Sequence, residues 1–187
     1  MQIDGECRRL AFEENLARLH YGDLEVHNRS GNPYYTIWIR EKEYKNSYKL
    51  RLQLLDRLLH REPSLFVESP KTLWLHNYKG TINALGTSYH YHVHRNAEPN
   101  GYVKICYTDD WNASCTCVLA LHRAKIWIAA YEVHLLVGKT IAEIINEWKE
   151  MLRKKKESDR APLGKSLSMR GMPTFDFLPK IITTCDW

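Results

Sequence analysis

Three imidazoles and three thiols fall within one short stretch: His90, His92 and His94, then Cys106, Cys115 and Cys117. The histidines alternate with Tyr89, Tyr91 and Val93, and side chains alternate across a strand, so a strand over Ser88–His94 would put all three imidazoles on one face. A turn near Ala97-Glu98 would set His90 opposite Cys106, and one at Asp110-Trp111 would set Cys106 opposite Cys115. Imidazole and thiolate are the ligands zinc prefers, and His90, Cys106, Cys115 and Cys117 could close a tetrahedron. The chain has no Cys-x-x-Cys, however, so the spacing is not that of a zinc knuckle. The expectation is no cofactor, with half-buried cysteines and exposed histidines, and zinc is the alternative. Cys115 or Cys117 with His122 would be a nucleophile and base, but there is no Gly-rich phosphate loop, nucleophile elbow or paired-carboxylate signature. The chain is therefore read as non-enzymatic.

The elements that must hold these groups follow from the same stretch. Between Gly86 and Gly138 three alternating runs, Ser88–His94, Tyr102–Tyr107 and Ser114–Leu119, precede an apolar-patterned run from Leu121 to Val137. This predicts β-β-β-α. Ile126, Ala129, Ala130, Val133 and Val137 form one helix face that should cover the Tyr/Val/Ile side of the sheet and leave the His/Cys/Lys104 side open.

Tyr89, Val93, the run Gly101-Tyr102-Val103-Lys104-Ile105, and Ala124, Ala129-Ala130-Tyr131, Leu136 and Gly138 on the helix give the stretch a family likeness. It resembles the three-strand-plus-helix module of the plant Apetala-two/ethylene-response type and the arm-binding domains of phage integrases. The resemblance implies a sheet face that enters the major groove and reads it with arginine and tryptophan. Here His90, His92, His94 and Lys104 stand where that family has mostly arginines, and the cysteines have no counterpart. The likeness covers less than a third of the chain.

The rest of the chain reads as follows. Arg8–His20 is predicted helical, with Leu10, Phe12, Leu16 and Leu19 inward; Leu24–Arg29 and Tyr34–Glu41 form a hairpin about Gly31-Asn32-Pro33. Residues 47–61 fit both periods, and the helix is favoured because Ser47 can cap it and Pro63 can stop it. A strand there would make the first half β-β-β-α as well, a degenerate duplication. Ser64–Ser69 reads as a connector. Thr140-Ile-Ala-Glu143 is a capping-box pattern opening a last helix, and the apolar groups of 161–187 argue for an ordered tail.

The fold class is thus α+β: an antiparallel three-stranded sheet packed on a helix, present once or twice, with a C-terminal helix and ordered tail. The segments are 1–65, 66–138 and 139–187, packed as one unit or two adjoining ones. Apolar runs are too short to span a bilayer and the N-terminus has no signal-peptide core, so the chain is expected to be cytoplasmic, with reduced thiols and no membrane partner. The net charge is +5, and residues 153–170, with seven basic and two acidic groups, hold the whole excess. These observations predict a protein of phage or mobile-element type that binds DNA, RNA or a host nucleoprotein complex. The contacts would come from Arg29, Trp38, Arg40, His90, His92, His94, Lys104, Arg153, Lys154, Lys155, Lys156 and Arg160. The alternative partner is a protein, the chain then being an anti-defence, anti-CRISPR-like inhibitor using the same aromatic and arginine anchors.

Overall fold

The computed structural model describes residues 2–55, 60–94, 101–108 and 110–160. The predicted ordered tail, 161–187, lies outside the described residues. The chain runs α1 (Gln2–His20), β1 (Glu25–His27), β2 (Tyr34–Ile39), β3 (Tyr48–Gln53), β4 (Ser64–Ser69), β5 (Val93–His94), β6 (Val103–Ile105), α2 (Cys117–Val137) and α3 (Ile141–Arg160). The strands form one antiparallel sheet in the order β1-β2-β3-β4-β6-β5. The class is α+β, as the sequence predicts.

Strand periodicity builds the core. Tyr35, Ile37 and Ile39 of β2 and Tyr48, Leu50 and Leu52 of β3 face inward and are buried, while Lys49, Arg51 and Gln53 between them stay half-exposed. Leu65 and Val67 of β4, Val93 of β5 and Val103 and Ile105 of β6 continue the inner face. Burial of each large apolar side chain here contributes about 1.5–3 kcal/mol, at roughly 25 cal/mol per Å² of apolar area removed from water.

Helix α2 is apolar on nearly every side because it lies between the sheet and both other helices: Ala124, Ile128 and Ala130 have no exposed surface. Thr116 caps its start, accepting from the Leu119 N–H at 3.2 Å, and Gly138, with φ of 78°, closes its end through an N–H bond to His134 O at 2.9 Å. The capping box that opens α3 is formed: Thr140 N–H donates to Glu143 at 2.7 Å, and Glu143 N–H donates to Thr140 Oγ1 at 3.3 Å. Ile141, Ile144, Ile145 and Trp148 then bury the inner stripe of α3.

Four element assignments differ from the sequence reading. Residues 48–53 are strand and not helix, since β3 is paired on both sides, with β2 and β4, and alternation satisfies the buried faces of both pairings. The supposed connector is β4, a central strand, and it crosses the predicted boundary at residue 65, so the two halves share one sheet and no duplicated unit forms. The Ser88–His94 run folds back on itself: Ser88 and Val93 exchange backbone bonds at 2.9 and 3.1 Å around a turn in which His92 has φ of 48°. Only Val93–His94 remain strand. Cys115 and Thr116 precede α2 and Cys117 begins it, because Thr116 and Glu13 cap the backbone there; Cys117 N–H donates to Glu13 Oε2 at 2.8 Å. On α1, Leu10 and Leu16 pack against the core as expected, with Glu13 and Ala17 buried beside them, while Phe12 and Leu19 are exposed. Among the described residues no helix is long and apolar enough to cross a membrane.

Candidate functional site

The outer face of the sheet carries one group of the predicted contacts. Arg51 lies over the Tyr34 ring at 4.0 Å, and His27 stacks on the same ring at 4.6 Å with planes 13° apart. This column of guanidinium, phenol and imidazole follows from cross-strand register, His27 lying opposite Tyr34. Arg40, the residue after β2, sits over Trp38 at 4.7 Å. Lys104 pairs across the sheet with Phe66 on one side and His94 on the other, on this face. Carboxylates interleave with the cations: Lys49 lies 3.8 Å from Glu25 and 3.9 Å from Glu68, and Arg51 lies 3.7 Å from Glu68.

The other predicted cations are elsewhere. Arg29 makes a two-pronged pair with Glu14 of α1 at 2.7 and 2.6 Å. Burial pushes the Glu14 carboxyl up, but its bonds to Arg29 and Arg18 outweigh that and hold it below the usual range. Arg153 bonds Glu150 and Glu157 along α3, and Lys154 lies 3.5 Å from Glu150; Arg153 holds the Glu150 carboxyl down to about 2. Lys155 and Lys156 are exposed on the same helix, whose last residue is Arg160, a side chain outside the described set.

The histidine–cysteine face does not form. His90 is exposed on the turn, where its carbonyl accepts the Ala142 N–H at 2.9 Å, and His94 lies on the outer sheet face. Cys115 and Cys117 are in the core. Burial, then the neighbouring Glu13 carboxylate, push the Cys117 thiol far up, so it stays a protonated thiol. Among the described residues no three His, Cys, Asp or Glu side chains come close enough to hold a metal ion. The proposed ligands His90, Cys106, Cys115 and Cys117 lose their common face because their segments are turn, strand end, loop and helix.

His92 and Cys106 do come together. They line a cleft of about 180 Å³ with Tyr107, Thr108, Asp110, Arg123, Trp127, Ile145 and Lys149. Backbone bonds set the lining: Cys106 N–H donates to His92 O at 2.8 Å, joining the strand end to the turn, and Trp127 Nε1 donates to Tyr91 O at 2.9 Å. The buried Tyr107 hydroxyl donates to Pro63 O at 2.8 Å, and Arg123 Nη1 reaches Tyr107 O at 3.5 Å. Burial raises the Tyr107 hydroxyl well beyond its ordinary range, with the Glu62 charge adding to it. The thiol of Cys106 is half-buried, in a cleft that also presents an imidazole, a carboxylate and two cations. Sequence reasoning treated Cys106 as a metal ligand and passed over Asp110, Arg123 and Lys149. Their spacing carries no motif, since loop, α2 and α3 bring them together only in three dimensions.

Compared with family models, curated proteins and solved structures, the chain matches none.

Proposed function

We propose that the protein is a cysteine-dependent acyl-transfer protein acting through Cys106. The observation that supports this reading is the cleft that gathers Cys106, His92, Asp110, Arg123 and Lys149. A thiolate is the nucleophilic form of cysteine, and cations beside it favour that form. In the proposed reaction Cys106 Sγ attacks an acyl carbonyl and forms a carbon–sulfur bond. Arg123 or Lys149 stabilises the oxyanion, which then collapses and expels the leaving group, the latter taking the proton that His92 received from the Cys106 thiol. The thioester persists until an amine or water attacks its carbonyl and the thiol is released. His92 sits in left-handed backbone, a conformation that side-chain-bearing residues adopt at a cost and that clusters at functional sites.

The test compares thiols within one molecule. With iodoacetamide under native conditions, Cys106 is expected to alkylate faster than Cys7, although Cys7 is the more exposed, and far faster than buried Cys115 and Cys117. With an activated aryl ester, the acyl group should be found on Cys106 and disappear in Cys106→Ser. Alkylation of Cys106 no faster than that of Cys7, together with acylation that Cys106→Ser leaves unchanged, would sink the proposal.

A second reading keeps the nucleic-acid or nucleoprotein partner, with a protein target as its variant. It is favoured by the His27–Tyr34–Arg51 column and the Trp38–Arg40 pair on the outer sheet face, since stacked aromatics and arginines suit single-stranded bases. Binding of single-stranded DNA or RNA should fall steeply with salt and weaken in Lys154→Ser/Lys155→Ser/Lys156→Ser. No binding at low salt excludes this partner class.

A further inference from the structure

A second cleft, of about 340 Å³, opens where the β2–β3 loop meets the segment after β4 and the C-terminal half of α2. Its walls include Trp74 and Tyr78, 44% and 64% exposed, with ring centroids 5.6 Å apart and planes at 63°. Two rings at that angle make a corner, so an incoming ring stacks on one and meets the edge of the other. Tyr131 lies beneath, buried, its hydroxyl donating to Trp74 O at 2.9 Å.

The corner is held rigid without being packed away. Trp74 pairs with Thr81, Leu75 N–H donates to Gly80 O at 2.9 Å, and His76 N–H donates to His134 Nε2 at 3.1 Å. His76 Nδ1 bonds Leu135 O at 2.9 Å. Asn77 and Tyr78 both have φ of 56°, and for a residue as bulky as tyrosine that conformation persists only where neighbouring contacts impose it. The fold thus fixes two large aromatic side chains at the surface, where they contribute little to the core.

Lys45 decides the charge of the ligand. Its ammonium donates to the Tyr78 hydroxyl at 3.0 Å and lies 5.2 Å from that ring's centroid, and no carboxylate among the described residues lies within ion-pair distance of it. Glu132, under the same loop, is turned inward and already accepts from Tyr48, Lys45 N–H and Asn46 N–H. A cationic ligand would meet a like charge above the aromatic corner, whereas an anionic one finds a counter-ion there. The amides of Asn46 and Asn77 supply donors and acceptors for a heterocycle edge. We infer that this cleft binds a planar heteroaromatic anion of the nucleotide class, its ring on Trp74 and its phosphate on Lys45.

The inference is independent of Cys106. Equilibrium dialysis with the four nucleoside 5′-monophosphates, the matching nucleosides and choline tests it. At least one monophosphate is expected to bind saturably with Kd below about 1 mM, its nucleoside about tenfold more weakly, and choline not at all. Lys45→Met should reduce the monophosphate to the affinity of its nucleoside, Trp74→Leu should abolish both, and Cys106→Ser should change neither. Both Lys45 and Trp74 are exposed, so the variants should keep the far-ultraviolet circular dichroism of the parent. Absence of saturable binding by every monophosphate, binding of choline, or undiminished binding in Lys45→Met overturns the inference.

Discussion

Replacing Glu132 with alanine removes the acceptor of three donors at once, and the cost can be worked from their surroundings. The carboxylate is buried and accepts the Tyr48 hydroxyl, Lys45 N–H at 3.0 Å and Asn46 N–H at 3.4 Å. Tyr48 is wholly buried and its other partner, Asn46 Nδ2, is itself a donor, so its proton would have no acceptor. A buried polar group left unsatisfied costs about 1–3 kcal/mol, and the two loop amides, which water can partly satisfy, add about 1 kcal/mol each. The total for Glu132→Ala is about 3–5 kcal/mol, read as a lower urea midpoint at unchanged slope. Tyr48→Phe removes only the hydroxyl donor and should cost about 1 kcal/mol. In the double variant the two losses should fall short of additive by about 1–2 kcal/mol, because the alanine no longer strands the tyrosine. A Glu132→Ala loss below about 1 kcal/mol, or full additivity with Tyr48→Phe, would refute the reasoning that this carboxylate fastens the β2–β3 loop to α2.

Other perturbations probe the joints around the two clefts. Gly138→Ala should cost about 1–2 kcal/mol by urea unfolding, since φ is 78° and a Cβ would lie 3.0 Å from His76 Cδ2; a neutral result would mean that the α2 end is not held as described. Thr140→Ala, which removes the capping-box hydroxyl of α3, should cost about 1 kcal/mol in the same assay. His134 accepts the His76 N–H on Nε2, which places its proton on Nδ1 toward Lys139 O at 2.6 Å. Burial first, and then the nearby His76, depress its pKa below the ordinary value despite the Lys139 carbonyl. Stability should therefore be level above about pH 6.5 and fall as the pH drops through the folded-state value, the unfolded chain binding the proton first. Unfolding free energies at pH 7.5 and 5.5 should differ more for the parent than for His134→Gln, and equal differences would refute the assignment.

Periodicity made legible those elements whose two faces meet different surroundings. The alternation of Tyr35, Ile37 and Ile39 with Tyr34, Thr36 and Trp38 marks β2, and Thr140 with Glu143 marks the start of α3. Residues 47–61 failed because leucine serves both periods: Leu50 and Leu54 are i, i+4 neighbours on a helix and same-face neighbours on a strand. What selects the strand is pairing with β4, a segment whose buried pattern, with Leu65, Phe66 and Val67 all inward or covered, has no alternation to read. The two errors are one, since each strand becomes evident only with the other beside it.

The sites were less legible than the fold, for a related reason. The alternation of His90, His92 and His94 with tyrosines and valine is as regular as any in the chain, yet Ser88 pairs with Val93, and an alternating pattern cannot show that a segment bends in its middle. The bend sends His90 to the surface beside α3, His94 to the outer sheet and His92 to the cleft that Cys106 also lines, so one apparent cluster becomes three environments. Charge misleads in the same way. Arg29 and Arg153 stand out in sequence as phosphate donors, but each is already neutralised by carboxylates that helix geometry or a 15-residue separation brings to it. Lys45, which nothing in its sequence neighbourhood marks, lies beside the Tyr78 ring with no carboxylate among the described residues at ion-pair distance. Chemistry in this fold is therefore to be sought where packing gathers reactive groups from separate segments, at Cys106 and at Lys45, and not where such residues are densest along the chain.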